Sequence, residues 1–183
     1  PFNALLLTFG TNVNAGYHIG RRIYQQLAGP LYRSYNVAAS IVVGQSLGEG
    51  DAEGARFAGR AIAALSVLTL GAAGAVLVVG ADPLAGVFTN DAATRQYAAT
   101  FARVFGVSML SFGVFFPFAG SLRGAGDTRT PLYANFSGTF VFMLGFSYVA
   151  GVTLGYGLTG VYAGMILCYA WWALVAAAGF QWG

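Results

Sequence analysis

Seven residues hold most of the chemistry this chain can offer. His18, Arg22, Gln25, Gly29, Arg33, Asn36 and Ser40 recur three or four positions apart. At about 100° per residue they share an arc of roughly 80° on one helix face. Two guanidinium groups, two carboxamides and a hydroxyl form a binding set: they offer charge and hydrogen bonds and include no carboxylate. The single histidine, His18, is isolated at the shallow end and is not named as a proton carrier. No serine stands with a recognisable base and no metal ligands cluster, so neither an enzyme nor a metal site is expected and no cofactor is assigned.

The solvent around this stripe follows from composition. The chain is 57% hydrophobic and 8% charged, with a mean hydropathy of +0.65, whereas a soluble domain is about 25% charged. Residues 61–80 contain no ionisable group, and 131–152 and 157–180 are similarly apolar. At about 1.5 Å per residue such runs cross a hydrocarbon core of about 30 Å as helices. The runs are continuous rather than alternating, which favours helices over a barrel. The fold class is therefore an all-α polytopic membrane protein. Cys168 is the only cysteine, so no disulfide framework is available.

Six helices are expected, over about 1–13, 15–47, 55–79, 94–122, 131–152 and 157–180. The first reads as the outgoing end of a truncated helix, and the chain as one fragment, 1–183, of a longer protein. The second is too long for one upright span, and Gly29 with Pro30 is its candidate hinge. Pro117 is the corresponding candidate in the fourth. Gly71 with Ala75, and Gly160 with Gly164, have the small-xxx-small spacing that permits close helix contact. Phe105, Phe112, Phe115, Phe116 and Phe118 crowd the fourth helix beside Ser108, Met109 and Ser111. They form either ordinary packing or a surface for planar organic molecules.

Two turns repeat 76 residues apart: Gly48-Glu49-Gly50-Asp51 and Gly124-Ala125-Gly126-Asp127. Glycine tolerates the positive φ of a tight reversal, and Asp51 and Asp127 are placed to cap the helices that follow. Neither turn ends in Lys-Ser/Thr and both contain an acid, which excludes a phosphate-binding loop. Arg56, Arg60, Arg123 and Arg129 flank these turns, whereas 81–95 carries only Arg95. The positive-inside rule places the turns in the cytoplasm, with Arg21, Arg22 and Arg103 counting against it. Scattered arginines give no nucleic-acid footprint.

Four stretches, AGYHIGRRIYQQLAGPLYRSYNVAAS (15–40), AASIVVGQSLGEGDAEGAR (38–56), DPLAGVFTNDA (82–92) and GSLRGAGDTRTPLYAN (120–135), resemble the multidrug and toxic compound extrusion family, the MATE transporters. The first is similar to the DinF-like and archaeal branch. The resemblance implies twelve helices in two six-helix lobes, of which this chain is most of the second. It implies an antiporter in the cell membrane, plasma or inner, that exchanges Na+ or H+ for organic compounds, often cationic drugs. The partners it implies are small organic substrates, the lipid bilayer and the N-terminal lobe.

In that setting Arg22, Gln25, Arg33, Asn36 and Ser40 are the candidate residues of the cleft between lobes. The alternative is that the stripe packs against the other lobe or that its outer end protrudes into water. All six acids (Glu49, Asp51, Glu53, Asp82, Asp91, Asp127) fall in expected loops. Some family members place coupling acids in the second lobe, and this chain departs from that pattern. The coupling carboxylate is accordingly expected in the N-terminal lobe. A lipid-linked saccharide flippase of the same superfamily and a non-transporting membrane scaffold are the competing functions.

Overall fold

A computed structural model describes residues 2–182 as a bundle of helices. In chain order they are α1 (Phe2–Leu7), α2 (Thr11–Gly48), α3 (Ala52–Val79), α4 (Ala81–Phe88), α5 (Ala92–Gly124), α6 (Arg129–Thr153) and α7 (Leu158–Trp182). α3, α5, α6 and α7 are each long and apolar enough to cross a membrane. α2, the longest helix, is too polar to join them.

The first break falls earlier than the sequence suggested. α1 closes at Leu7, and the amides of Thr8, Phe9 and Gly10 fold back onto the carbonyls of Leu5, Leu6 and Leu7. Gly10 then takes φ 120°, a value open to glycine, and α2 begins at Thr11. Asn14 has no such freedom and is simply part of α2. A second difference is α4, which lies in a stretch read as loop. Its Ala81 and Ala85, one helical turn apart, bury against Ala98, Ala99 and Ala102 of α5. α6 is α-helical over Arg129–Ser137 and winds more widely, with π geometry, over Gly138–Phe146 and Val149–Thr153. Hydrophobic patterning cannot distinguish that widening from an ordinary helix.

α5 is the axis of the bundle. Two-thirds (67%) of its most apolar window is buried, against 28% for α3 and 22% for α6. It contacts α2, α3 and α7 most extensively. Those approaches are close because glycines remove side chains from the crossings. A methyl at Gly120 would overlap the carbonyl oxygen of Asn36, one at Gly124 that of Ser40, and one at Gly74 that of Gly106. On the α3 face the tight contact is therefore Gly74, not the Gly71 and Ala75 pair, since a methyl at Gly71 meets only Leu110 at 3.2 Å. Gly160 and Gly164 do face α6, against Gly151 and Ser147. The outer faces of α3 and α6 expose Leu65, Leu68, Val76, Phe136, Phe140 and Val141.

The two Gly-x-Gly-Asp turns have one geometry. At the first, the amides of Gly50 and Asp51 donate to Leu47 and Ser46; at the second, those of Gly126 and Asp127 donate to Arg123 and Leu122. Gly50 (φ 80°) and Gly126 (φ 89°) supply the left-handed residue that this helix ending requires. Each aspartate then faces forward. Asp51 Oδ1 accepts from the Gly54 amide at 2.8 Å, and Asp127 Oδ1 accepts from Arg129 and Thr130 at 2.9 and 3.0 Å. One residue thus closes a helix with its main chain and opens the next with its side chain. The turns lie at the same end of the bundle, where Leu47, Ala52, Leu122 and Ala125 border a common recess.

Hydrogen bonds from Thr130 hold the Asp127 carboxyl below its ordinary 3.8, with help from Arg129. The stabilisation is therefore full above the ordinary value and fades as pH falls through the lower folded one. Asp127→Ala should cost about 1 kcal/mol at the start of α6. Hydrogen exchange at the Arg129 and Thr130 amides measures this: protection should fall in the variant at pH 7, and the difference from wild type should shrink on acidification below 3.8.

Candidate functional site

The polar stripe of α2 divides into three parts. At its outer end, His18, Arg22 and Gln25, with Ile19 and Arg21, border an open recess of about 410 Å³. In the middle, Gly29 is buried and Arg33 is exposed, and the helix runs unbroken through Pro30. Arg33 makes no hydrogen bond or ion pair with any of the described residues. At the inner end, Asn36 is committed to α5. Its Nδ2 donates to the Phe116 carbonyl at 2.7 Å, and its Oδ1 accepts from Arg123 Nη1 at 3.1 Å.

Two of the cleft candidates sit where α2 meets α5. Asn36 clasps α5 beside Pro117, and the Ser40 main chain lies against Gly124, where the glycine leaves no room for anything between. The physical reason is that carboxamides and carbonyls at a glycine crossing meet the neighbouring backbone before they meet solvent. Pro117 is buried within a continuous α5.

Beside the stripe, three of the phenylalanines that the sequence left open between packing and a surface for planar molecules meet tyrosines of α2 and α7. Tyr17, Arg21 and Tyr24 of α2, with Phe105, Phe112 and Phe116 of α5 and Tyr169 of α7, border a recess of about 210 Å³. Tyr24 stacks on Phe105 (ring centroids 4.4 Å apart) and Tyr32 on Phe116 (4.2 Å), while Tyr169 meets Phe112 edge-on at 4.7 Å. Such offset and edge-to-face pairs add to area burial. Phe115 and Phe118 turn elsewhere, onto Trp172 and Phe180. Ser108 spends its hydroxyl on the Val104 carbonyl. The signal available in the sequence was the spacing of Tyr17, Tyr24 and Tyr32, seven and eight apart and so on one face of α2.

Four of the six acids are engaged, and Glu49 and Glu53 lie in and just after the first Gly-x-Gly-Asp turn. Asp51, Asp91 and Asp127 accept from the first-turn amides of α3, α5 and α6. Thr94, by side chain and main chain, holds the Asp91 carboxyl below its usual range. Asp82, on α4, pairs with Arg103 and its carbonyl accepts from Arg95. Arg103, which weakened the arginine count, thus has a local counterion at the end of the bundle away from the Gly-x-Gly-Asp turns.

Comparison with known proteins fits this architecture. The MatE family model matches residues 2–149, most of the chain. The chain belongs to the MATE family. A probable multidrug resistance protein NorM of Xanthomonas campestris pv. campestris is 34% identical over 146 residues, covering 71% of this chain and 28% of the relative. Human multidrug and toxin extrusion protein 1 is 30% identical over 154 residues, covering 83% of this chain and 26% of the relative. The crystal structure of the eukaryotic MATE transporter AtDTX14 superposes on the whole chain with a TM-score of 0.83 at 18% identity. The chain covers 42% of that transporter, and so has the fold of somewhat less than half of a MATE protein. A multidrug resistance MATE transporter in an inward-facing conformation gives 0.79 at 20% identity. This MATE chain is multi-pass, with four helices long and apolar enough to cross a membrane.

Two glycines of the site separate packing from hinge roles. Gly120→Ala forces a methyl into the Asn36 carbonyl and should lower the melting temperature of the detergent-solubilised protein by several degrees. At Gly29 the nearest atom to an added methyl is Tyr32 Oη at 3.9 Å. Gly29→Ala should therefore melt no lower than wild type, because alanine favours a helix interior by about 0.5–1 kcal/mol.

Proposed function

We propose that this chain is the second lobe of an ion-coupled exporter of organic compounds, working by alternating access with substrate held between two six-helix lobes. The observation that carries the reading is Arg33. It stands 15 residues before Gly48, roughly 22 Å along the helix and so within a hydrocarbon core of about 30 Å. It is exposed and without a partner among the described residues. A guanidinium at that depth costs at least about 2.5–3.5 kcal/mol against lipid, so it faces a partner or a water-filled cavity. The face that bears Arg22, Gln25 and Arg33 is then the wall of the cleft, closed on its other side by the N-terminal lobe.

The names of the relatives, multidrug resistance protein and multidrug and toxin extrusion protein, support export of small organic compounds. The engagement of the acids in caps and in the Asp82–Arg103 pair supports a coupling site for Na+ or H+ in the other lobe. The arginines around the Gly-x-Gly-Asp turns support a cytoplasmic position for that end of the bundle, in the plasma or inner membrane.

In this account Arg33 or Arg22 pairs with the coupling carboxylate in one conformational state. In the full-length protein, Arg33→Gln should lower ion-driven efflux about tenfold, with Arg33→Lys retaining much of it. Efflux from inverted vesicles, with the sodium and proton gradients collapsed separately, reads both coupling and its ion. Coupling unchanged in the Arg22 and Arg33 variants rejects the pairing.

A further inference from the structure

We propose that the aromatic recess between α2, α5 and α7 is a binding site for planar aromatic anions, with the ring among the phenylalanines and tyrosines and the anionic group on Arg21. The proposal names a substrate class for the exporter lobe and rests on that reading for transport, though not for binding.

The geometry begins with the position of Arg21 on α2. At about 100° per residue it falls between Tyr24 and Gln25, at the border of the aromatic face and the polar stripe. It accordingly belongs to two recesses at once. One, of about 210 Å³, is walled by Tyr24, Phe105, Phe112 and Tyr169; the other, of about 410 Å³, by His18, Arg22 and Gln25. Among the described residues, Arg21 is the only charged one lining the first, and no acid lines either.

The chemistry of the walls then selects the ligand. The open space is lined by rings that pack on one another, Tyr24 on Phe105 and Tyr169 on Phe112, so a flat aromatic body entering it meets aromatic walls. A guanidinium offers a planar fork that matches a carboxylate in two parallel hydrogen bonds. Next to that fork a cationic ligand meets like charge in a site with no compensating carboxylate. The described acids lie elsewhere: Asp82 faces Arg103, Asp91 caps α5, and Glu49, Asp51, Glu53 and Asp127 lie at the Gly-x-Gly-Asp end. Arg22, in the adjoining recess, adds to the positive potential at the entrance.

A matched pair of bicyclic probes tests the charge preference at constant size: 2-naphthoate and N-methylquinolinium. By equilibrium dialysis against the purified full-length protein, naphthoate should bind at least tenfold more tightly. Arg21→Gln should level the two affinities and Arg21→Lys should keep the order, since lysine retains the charge while losing the fork. Tighter binding of quinolinium, binding of neither probe, or a preference unmoved in Arg21→Gln overturns the proposal. Flux of both probes from proteoliposomes then separates the two claims. Naphthoate preference without flux keeps the site and removes the exporter; quinolinium flux without naphthoate binding keeps the exporter and removes the site.

Discussion

The organisation of this lobe follows from the cost of leaving a guanidinium in hydrocarbon. Arg33 sits on the longest helix, far from either end, with none of the described side chains to neutralise it. α3 and α6 can present leucine, valine and phenylalanine outward because nothing on those faces objects to lipid. α2 has no such choice. On the proposed reading its stripe turns away from the bilayer, with α5 at its back, toward the other lobe.

What keeps α2 in that orientation is the seam with α5. At the inner end, Gly120 and Gly124 bring the two backbones together and Asn36 joins them by hydrogen bonds. Further out, stacked rings stand between the helices, Tyr32 on Phe116 and then Tyr24 on Phe105, before glycine contact resumes at Gly20 and Gly16 against Phe101 and Tyr97. The change from backbone contact to ring stacking opens space between the helices, and the aromatic recess forms there. The aromatic face and the polar stripe are neighbouring faces of one helix, so the seam that builds the first also aims the second.

The membrane class, the repeated turns and the polar stripe were legible because each depends on local composition or spacing. A run without charges, a Gly-x-Gly-Asp reversal and a 3.6-residue period leave their mark within a few residues. Features that depend on what lies opposite were not legible. Nothing near Asn36 in the sequence announces that Phe116 and Arg123, 80 and 87 residues away, will consume its hydrogen bonds. Gly74 rather than Gly71 meets α5 for the same reason: the crossing point is set by the partner helix. The short α4, whose alanines pack on α5, and the wide winding of α6, which lies close against α7, are likewise seen only in the assembled bundle.

Accessibility along α2 tests the central claim most directly. In the full-length protein with the buried Cys168 replaced by alanine, single cysteines at Arg22, Gln25, Arg33, Val37 and Ile41, and at Leu68 on α3, are exposed to a charged, membrane-impermeant thiol reagent. If the stripe lines a water-filled cleft, Arg22→Cys, Gln25→Cys and Arg33→Cys react, and Leu68→Cys, on the lipid-facing side, does not. Labelling at Leu68 equal to that at Arg33, or an Arg33→Cys that reacts only after the protein is denatured, contradicts it.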